Sequence, residues 1–134
     1  FINVFGEELV IENAEKALSL TSELTKCSIS DYTVGPVFMG SKTKGSHEWL
    51  IEFDKQPDDL KKFMEILDLN LQSLNSDYEA KRYKGSTLEL PKLIVARKNL
   101  FYDWLSSKNK LGGQNKIPRL ANSREFIDEL ISMN

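Results

Sequence analysis

Cysteine is almost missing from this chain. Cys27 is the only one in 134 residues, so no disulfide can close within the chain and no cysteine zinc cluster can form. A reducing, cytoplasmic setting is the expectation. Histidine is as scarce: His47 stands alone. Any Ser-His-Asp or Cys-His triad would have to use it, and a multi-histidine metal site is excluded. No apolar run is long enough to cross a bilayer, and the opening residues do not read as a signal peptide. There is no surplus of basic charge either. Lys and Arg number 18 against 20 Asp and Glu, for a net charge of −2. Neither a nucleic-acid nor a membrane partner is expected from that balance.

What remains is an ordinary globular composition, 40% hydrophobic and 28% charged. One domain of this length can bury its own core. The chain opens with Phe1-Ile2-Asn3-Val4-Phe5 and no initiator methionine. A strand starting at the first residue suggests a piece of something longer.

Periodicity sets out the elements. Ile2 to Phe5 alternates weakly and predicts a short strand ended by Gly6. Ala14, Ala17, Leu18 and Leu24 recur at helical spacing between Glu12 and Lys26, with Glu12 or Asn13 able to accept first-turn amides. Ser28 to Met39 is rich in β-branched and aromatic residues, and its Gly35-Pro36 implies a bend or an edge position. A polar turn over Gly40 to Gly45 leads to a second strand, His47 to Phe53. Trp49, Ile51 and Phe53 share one face of it; Glu48, Leu50 and Glu52 share the other. Gln56-Pro57-Asp58-Asp59 opens a helix whose stripe is Leu60, Phe63, Met64, Leu67, Leu71 and Leu74. It ends near Asn75-Ser76, with a further turn over Tyr78 to Tyr83. Pro91 to Ala96 predicts a strand. Asn99 to Lys108 predicts a short helix stopped by Gly112. Asn122 and Glu125 have the spacing of a capping box for a last helix.

The predicted fold is therefore α+β: a ferredoxin-like β-α-β-β-α-β sheet with helices on one face. A C-terminal α-loop-α appendage comes after it. We take the chain as a single domain, 1–134, with the core over 1–97 and the appendage over 98–134.

Several residues could carry chemistry. Lys116 lies between Gly112-Gly113 and Pro118-Arg119, with the amides Gln114 and Asn115 beside it. Two flexible residues before the lysine and a stiff proline after it suit a point charge delivered to a phosphate or carboxylate. The plain alternative is a solvated loop lysine. Glu7-Glu8 could be paired carboxylates, but adjacent strand residues point apart. A turn before an acid-started helix explains them better. His47 reads as a structural strand residue. The run Asn75 to Arg82 reads as turn organisation, with Asn75 and Asp77 bonding local backbone. Trp49 and Trp104 read as core.

Three segments carry a resemblance. Leu74-Asn75-Ser76-Asp77-Tyr78-Glu79-Ala80-Lys81-Arg82 matches in full the Leu-Asn-Ser-x-Tyr-x-x-x-Arg pattern of the auxin-responsive acyl-acid amido synthetases of plants and bacteria. Gly113-Gln114-Asn115-Lys116-Ile117-Pro118-Arg119 is similar to that family's Asn-Gln-Tyr-Lys-Val-Pro-Arg segment. It departs at Gly113, Asn115 and Ile117. Ile2 to Glu7 resembles the family's segment just after the interdomain hinge. The resemblance implies the mobile C-terminal domain of an adenylate-forming ligase. Such an enzyme activates a small carboxylic acid with ATP and Mg2+, then passes the acyl group to an amino acid. The implied partner is the enzyme's own N-terminal adenylation domain, which would hold most of the nucleotide. Lys116 matches the lysine supplied to the adenylation step. Gly112, Gly113, Gln114, Asn115, Pro118 and Arg119 form the loop near substrate and nucleotide. The chain has no Gly-rich phosphate loop of its own, and no metal ligand set is expected, so the isolated piece should be catalytically silent. A non-catalytic ferredoxin-like module that binds a ligand or protein is the alternative. A thioester-forming relative is a third possibility.

Overall fold

The computed structural model describes residues 1–108 and 116–134, with Ser41 and Lys42 by backbone only. The helix α1 spans Ile11–Thr25 and leads into a hairpin, β1 (Ser28–Met39) and β2 (Ser41–Lys55). Next come α2 (Leu60–Leu74), α3 (Ser76–Arg82) and a single 3-10 turn at Tyr83–Gly85. β3 (Lys92–Val95), α4 (Leu100–Ser107) and α5 (Glu125–Met133) complete the order. The sheet runs β1-β2-β3, antiparallel between β1 and β2 and parallel between β2 and β3. This is the α+β, ferredoxin-like architecture expected from the sequence, with two differences.

The first concerns Ile2 to Phe5, which is not a sheet strand. Gly6 at φ +80° and Glu8 at φ 45° turn the chain back on itself. Ile2 and Leu9 then exchange both backbone hydrogen bonds, at 2.9 and 3.0 Å. The segment's ladder bonds go to Leu9 and its Asn3 amide goes to Asn122, so it adds no strand to the sheet. β3 therefore pairs directly with β2, where a full split βαβ would place the opening strand between them.

The second concerns the helices, which lie on both faces. Tyr32, Val34, Trp49 and Ile51 pack beneath α1 and α2, together with Ile2, Phe5 and Leu9 of the opening segment. The opposite face is not left to solvent. Leu50 and Ile94 meet Leu100, Phe101, Trp104, Ile127 and Leu130 of α4 and α5. The expected appendage is thus a third layer over the sheet. The acidic positions on that face are engaged as well. Glu52 accepts from the backbone of Asn99 at 3.2 Å and so holds the start of α4. Glu48 accepts from Arg124 at 2.9 Å.

Local chemistry accounts for the boundaries. Asp59 caps α2 by accepting from the Lys62 amide at 3.0 Å. The hairpin turns tightly at Gly40, φ +76°, so β2 begins within the stretch expected to be a polar turn. Gly35-Pro36 does not interrupt β1, and its proline sits on an edge strand, where a missing N–H is tolerated. Gly45 is fixed by crowding: a Cβ there would fall 2.0 Å from the Val37 carbonyl and 2.7 Å from the Phe5 ring. The Asn122/Glu125 capping box does not form. The Asn122 side chain instead accepts from the Asn3 amide at 2.8 Å, which fastens the opening segment to the start of α5.

Candidate active loop and its supports

Lys116 is exposed, and among the described residues it has no hydrogen-bond or ionic partner. The residues just after it are tightly held. Ile117 is buried in the α4–α5 layer. The Thr33 hydroxyl donates to the Pro118 carbonyl at 2.7 Å. The Val34 amide donates to the Arg119 carbonyl at 2.8 Å, and the Ala121 amide returns a bond to Val34 at 3.1 Å. Residues 119–121 therefore add a short stretch of backbone pairing along the free edge of β1.

The Arg119 side chain completes this clamp. Its Nη1 ion-pairs with Asp31 and donates to the Tyr32 carbonyl at 2.9 Å. The guanidinium lies 4.9 Å from the centre of the Tyr32 ring, in cation–π range. Before the loop, Lys108 ion-pairs with Glu129 of α5. A bare ammonium thus precedes a fixed exit by one to three residues. Chemically it can do one thing well, which is to place a positive charge against an anion brought to it. Gly112, Gly113, Gln114 and Asn115 of the expected loop, and the expected helix stop at Gly112, lie outside the described residues. Pro118 and Arg119 are placed, and both act here as supports for the loop.

The Leu74–Arg82 motif is architectural. Asn75 caps α3 by accepting from the Tyr78 amide at 2.8 Å. Its amide donates to the Glu8 carbonyl at 3.0 Å and to Asn13 at 3.0 Å. Asp77, expected to bond local backbone, is exposed and makes no such bond among the described residues. Tyr78 and Arg82 both reach Asp68 of α2, which is only 3% exposed. The Tyr78 hydroxyl donates to it at 2.6 Å, and Arg82 donates from Nε and Nη2, each at 2.8 Å. Burial, then the Asp68 charge, pushes the Tyr78 hydroxyl well above its ordinary range. The Asp68 hydrogen bonds raise Arg82 against the opposing effect of burial. Sequence reasoning missed Asp68. The signal was there: a carboxylate one turn from Met64 and from Leu71, inside an apolar stripe, needs a buried partner.

A second missed pair joins the opening segment to the sheet. Glu7 and His47 are both essentially inaccessible. His47 Nε2 donates to Glu7 Oε2 at 2.5 Å, and the Phe5 amide donates to Oε1 at 2.9 Å. Burial alone would raise the Glu7 carboxyl. The His47 bond and charge, with backbone N–H groups, outweigh it and leave the carboxyl below its usual range. A carboxyl depressed on folding contributes stability above its unfolded value, near 4.5, and loses it as pH falls through the folded one. Glu7→Gln should therefore lower the melting temperature clearly at pH 7, and the gap to wild type should narrow by pH 3. A gap independent of pH, read by circular dichroism melts, would refute a Glu7 carboxyl held low by its contacts in the fold.

The described residues form an α+β body with Lys116 exposed beside the pinned edge of β1. Two solved structures share the fold. A GH3.15 acyl acid amido synthetase superposes with a TM-score of 0.73 over 98% of this chain at 17% identity. AtGH3.15 acyl acid amido synthetase in complex with 2,4-DB gives 0.67 over 90% at 16% identity. This chain spans about a quarter of their length, 25% and 23%. No curated protein sequence matches it. The profile of the GH3 family C-terminal domain matches residues 12–125. The chain belongs to that family.

Proposed function

We propose that this chain is the mobile C-terminal domain of an ATP-dependent acyl-acid amido synthetase, and that Lys116 is its catalytic contribution. The observation that carries the reading is the exposed Lys116, without a partner among the described residues, beside the Arg119–Asp31 clamp. Family membership supports it. In such a ligase a carboxylate attacks the α-phosphate of ATP, bonding to phosphorus as pyrophosphate departs. Negative charges are drawn together, and an ammonium delivered by domain closure stabilises them by preorganised electrostatics. Closure also excludes water that would hydrolyse the acyl-adenylate. An amino acid's amine then attacks the acyl carbon and AMP leaves.

The fit to ATP and Mg2+ is that of a single contact. Among the described residues, no group of three or more His, Cys, Asp or Glu side chains could hold a metal. The nucleotide and its Mg2+ would rest mainly on the N-terminal adenylation domain, which is the implied partner, along with the small carboxylic acid and the amino acid. A cytoplasmic setting suits that chemistry. The test is ATP–pyrophosphate exchange. We expect none from this 134-residue chain and robust exchange from the full-length protein. Exchange by this chain alone would overturn the division of labour.

A further inference from the structure

Between α1 and the outer edge of β1 runs an open trough of about 290 Å³. Glu15, Ser19 and Ser22 line it from the helix. Asp31 and Tyr32 line it from the strand, and Arg119 lies at its border. These are not scattered surface charges. The Tyr32 hydroxyl donates to Glu15 at 2.9 Å. The Arg119 guanidinium lies 4.9 Å from the centre of the Tyr32 ring and ion-pairs with Asp31, so the three charged groups are joined through Tyr32 and Arg119.

Arg119 is only partly used. Both of its hydrogen bonds leave from Nη1. Among the described residues, its Nε and Nη2 hydrogens meet no acceptor. That edge of a guanidinium is a fork matched to a carboxylate. The Ser19 and Ser22 hydroxyls also lack a partner among the described residues. Two carboxylates and one guanidinium give the trough a net charge of −1. A phosphate or a simple organic acid is repelled by that balance. A simple amine leaves the fork unused. A small molecule carrying both charges satisfies both ends.

We propose that this trough is a binding site for a free α-amino acid. The Arg119 fork takes the carboxylate, Glu15 takes the ammonium, and Ser19 and Ser22 face the remainder. The site is separate from Lys116 and stands whether or not Lys116 acts in adenylation. The room is adequate, since pockets for drug-sized ligands begin near 300 Å³.

The test is an amide-shift titration of 15N-labelled chain with L-alanine and L-glutamine, beside N-acetyl-L-alanine, L-alaninamide and inorganic phosphate. Shifts confined to residues 15–22, 29–32 and 119 with the free amino acids, and weak or absent shifts with both blocked forms, are expected. Arg119→Lys should weaken binding about tenfold or more, since the charge stays and the fork goes. Because Arg119 also clamps the edge of β1, Glu15→Gln and the trough-filling Ser19→Leu provide independent checks. Each should weaken binding without changing the melting temperature by more than a few degrees. Equal shifts with the blocked forms, a response to phosphate alone, or no response to either amino acid at tens of millimolar would overturn the site.

Discussion

Lys116→Ala, made in the full-length protein that carries this domain, is expected to cut adenylation by a few hundred-fold or more. Loss of one preorganised contact to developing charge costs about 3–4 kcal/mol. Amide formation from supplied acyl-adenylate should survive, because the proposed role engages the lysine only while charge gathers at the α-phosphate. Folding should be untouched. Lys116 is exposed and without a described partner, and substitutions at such positions stay within about 0.5 kcal/mol. Lys116→Arg should recover only part of the rate, since a planar fork does not replace a compact ammonium. The measurement is the pair of half-reactions, assayed separately on one preparation. Equal loss of both would make Lys116 a structural residue and leave the family fold without this catalytic role.

The contrast between Lys116 and Arg119 shows what a sequence can carry. Both stand in one short motif, and both could be taken as charges near a nucleotide. Burial and partners separate them: Arg119 is held through Nη1 by Asp31 and Tyr32, and Lys116 by nothing described. The helices α1 and α2 were legible because their stripes repeat at 3.6 residues and their first turns carry accepting side chains. The β1–β2 hairpin was legible from its β-branched and aromatic content. The opening segment was not, because four weakly alternating residues cannot say whether their hydrogen bonds go to a sheet or to a local turn. The second buried face was missed for a related reason. Glu48 and Glu52 flank Leu50 on that face, and only the placement of Arg124 and of the first turn of α4 shows where their charges are met. Partners far apart in sequence, such as Glu7 with His47 or Asp68 with Arg82, leave no periodic trace.

The buried Asp68 leads to the largest expected effect on stability. Asp68→Ala leaves the buried Tyr78 hydroxyl without its acceptor and the largely covered Arg82 guanidinium without its ion pair. Breaking a buried ion pair from one side costs about 3–5 kcal/mol. For a domain of this size that lowers the melting temperature by about 10–20 °C. The damage should exceed the sum of contacts seen in Asp68 alone. Arg82 also donates to the Leu88 carbonyl at 3.1 Å, so its release loosens the turn that leads into β3. Two further variants separate causes. Tyr78→Phe removes one hydrogen bond while leaving the ion pair, and should cost about 1–2 kcal/mol. Asp68→Leu with Arg82→Met removes both charges, and should be more stable than Asp68→Ala because no buried charge is left unpaired. In the full-length protein, Tyr78→Phe should leave adenylation near wild type, since its hydroxyl is buried against Asp68 of α2. Thermal melts of the three variants decide the matter. An Asp68→Ala variant within about 2 °C of wild type would mean that the Leu74–Arg82 motif is held for something other than this buried network.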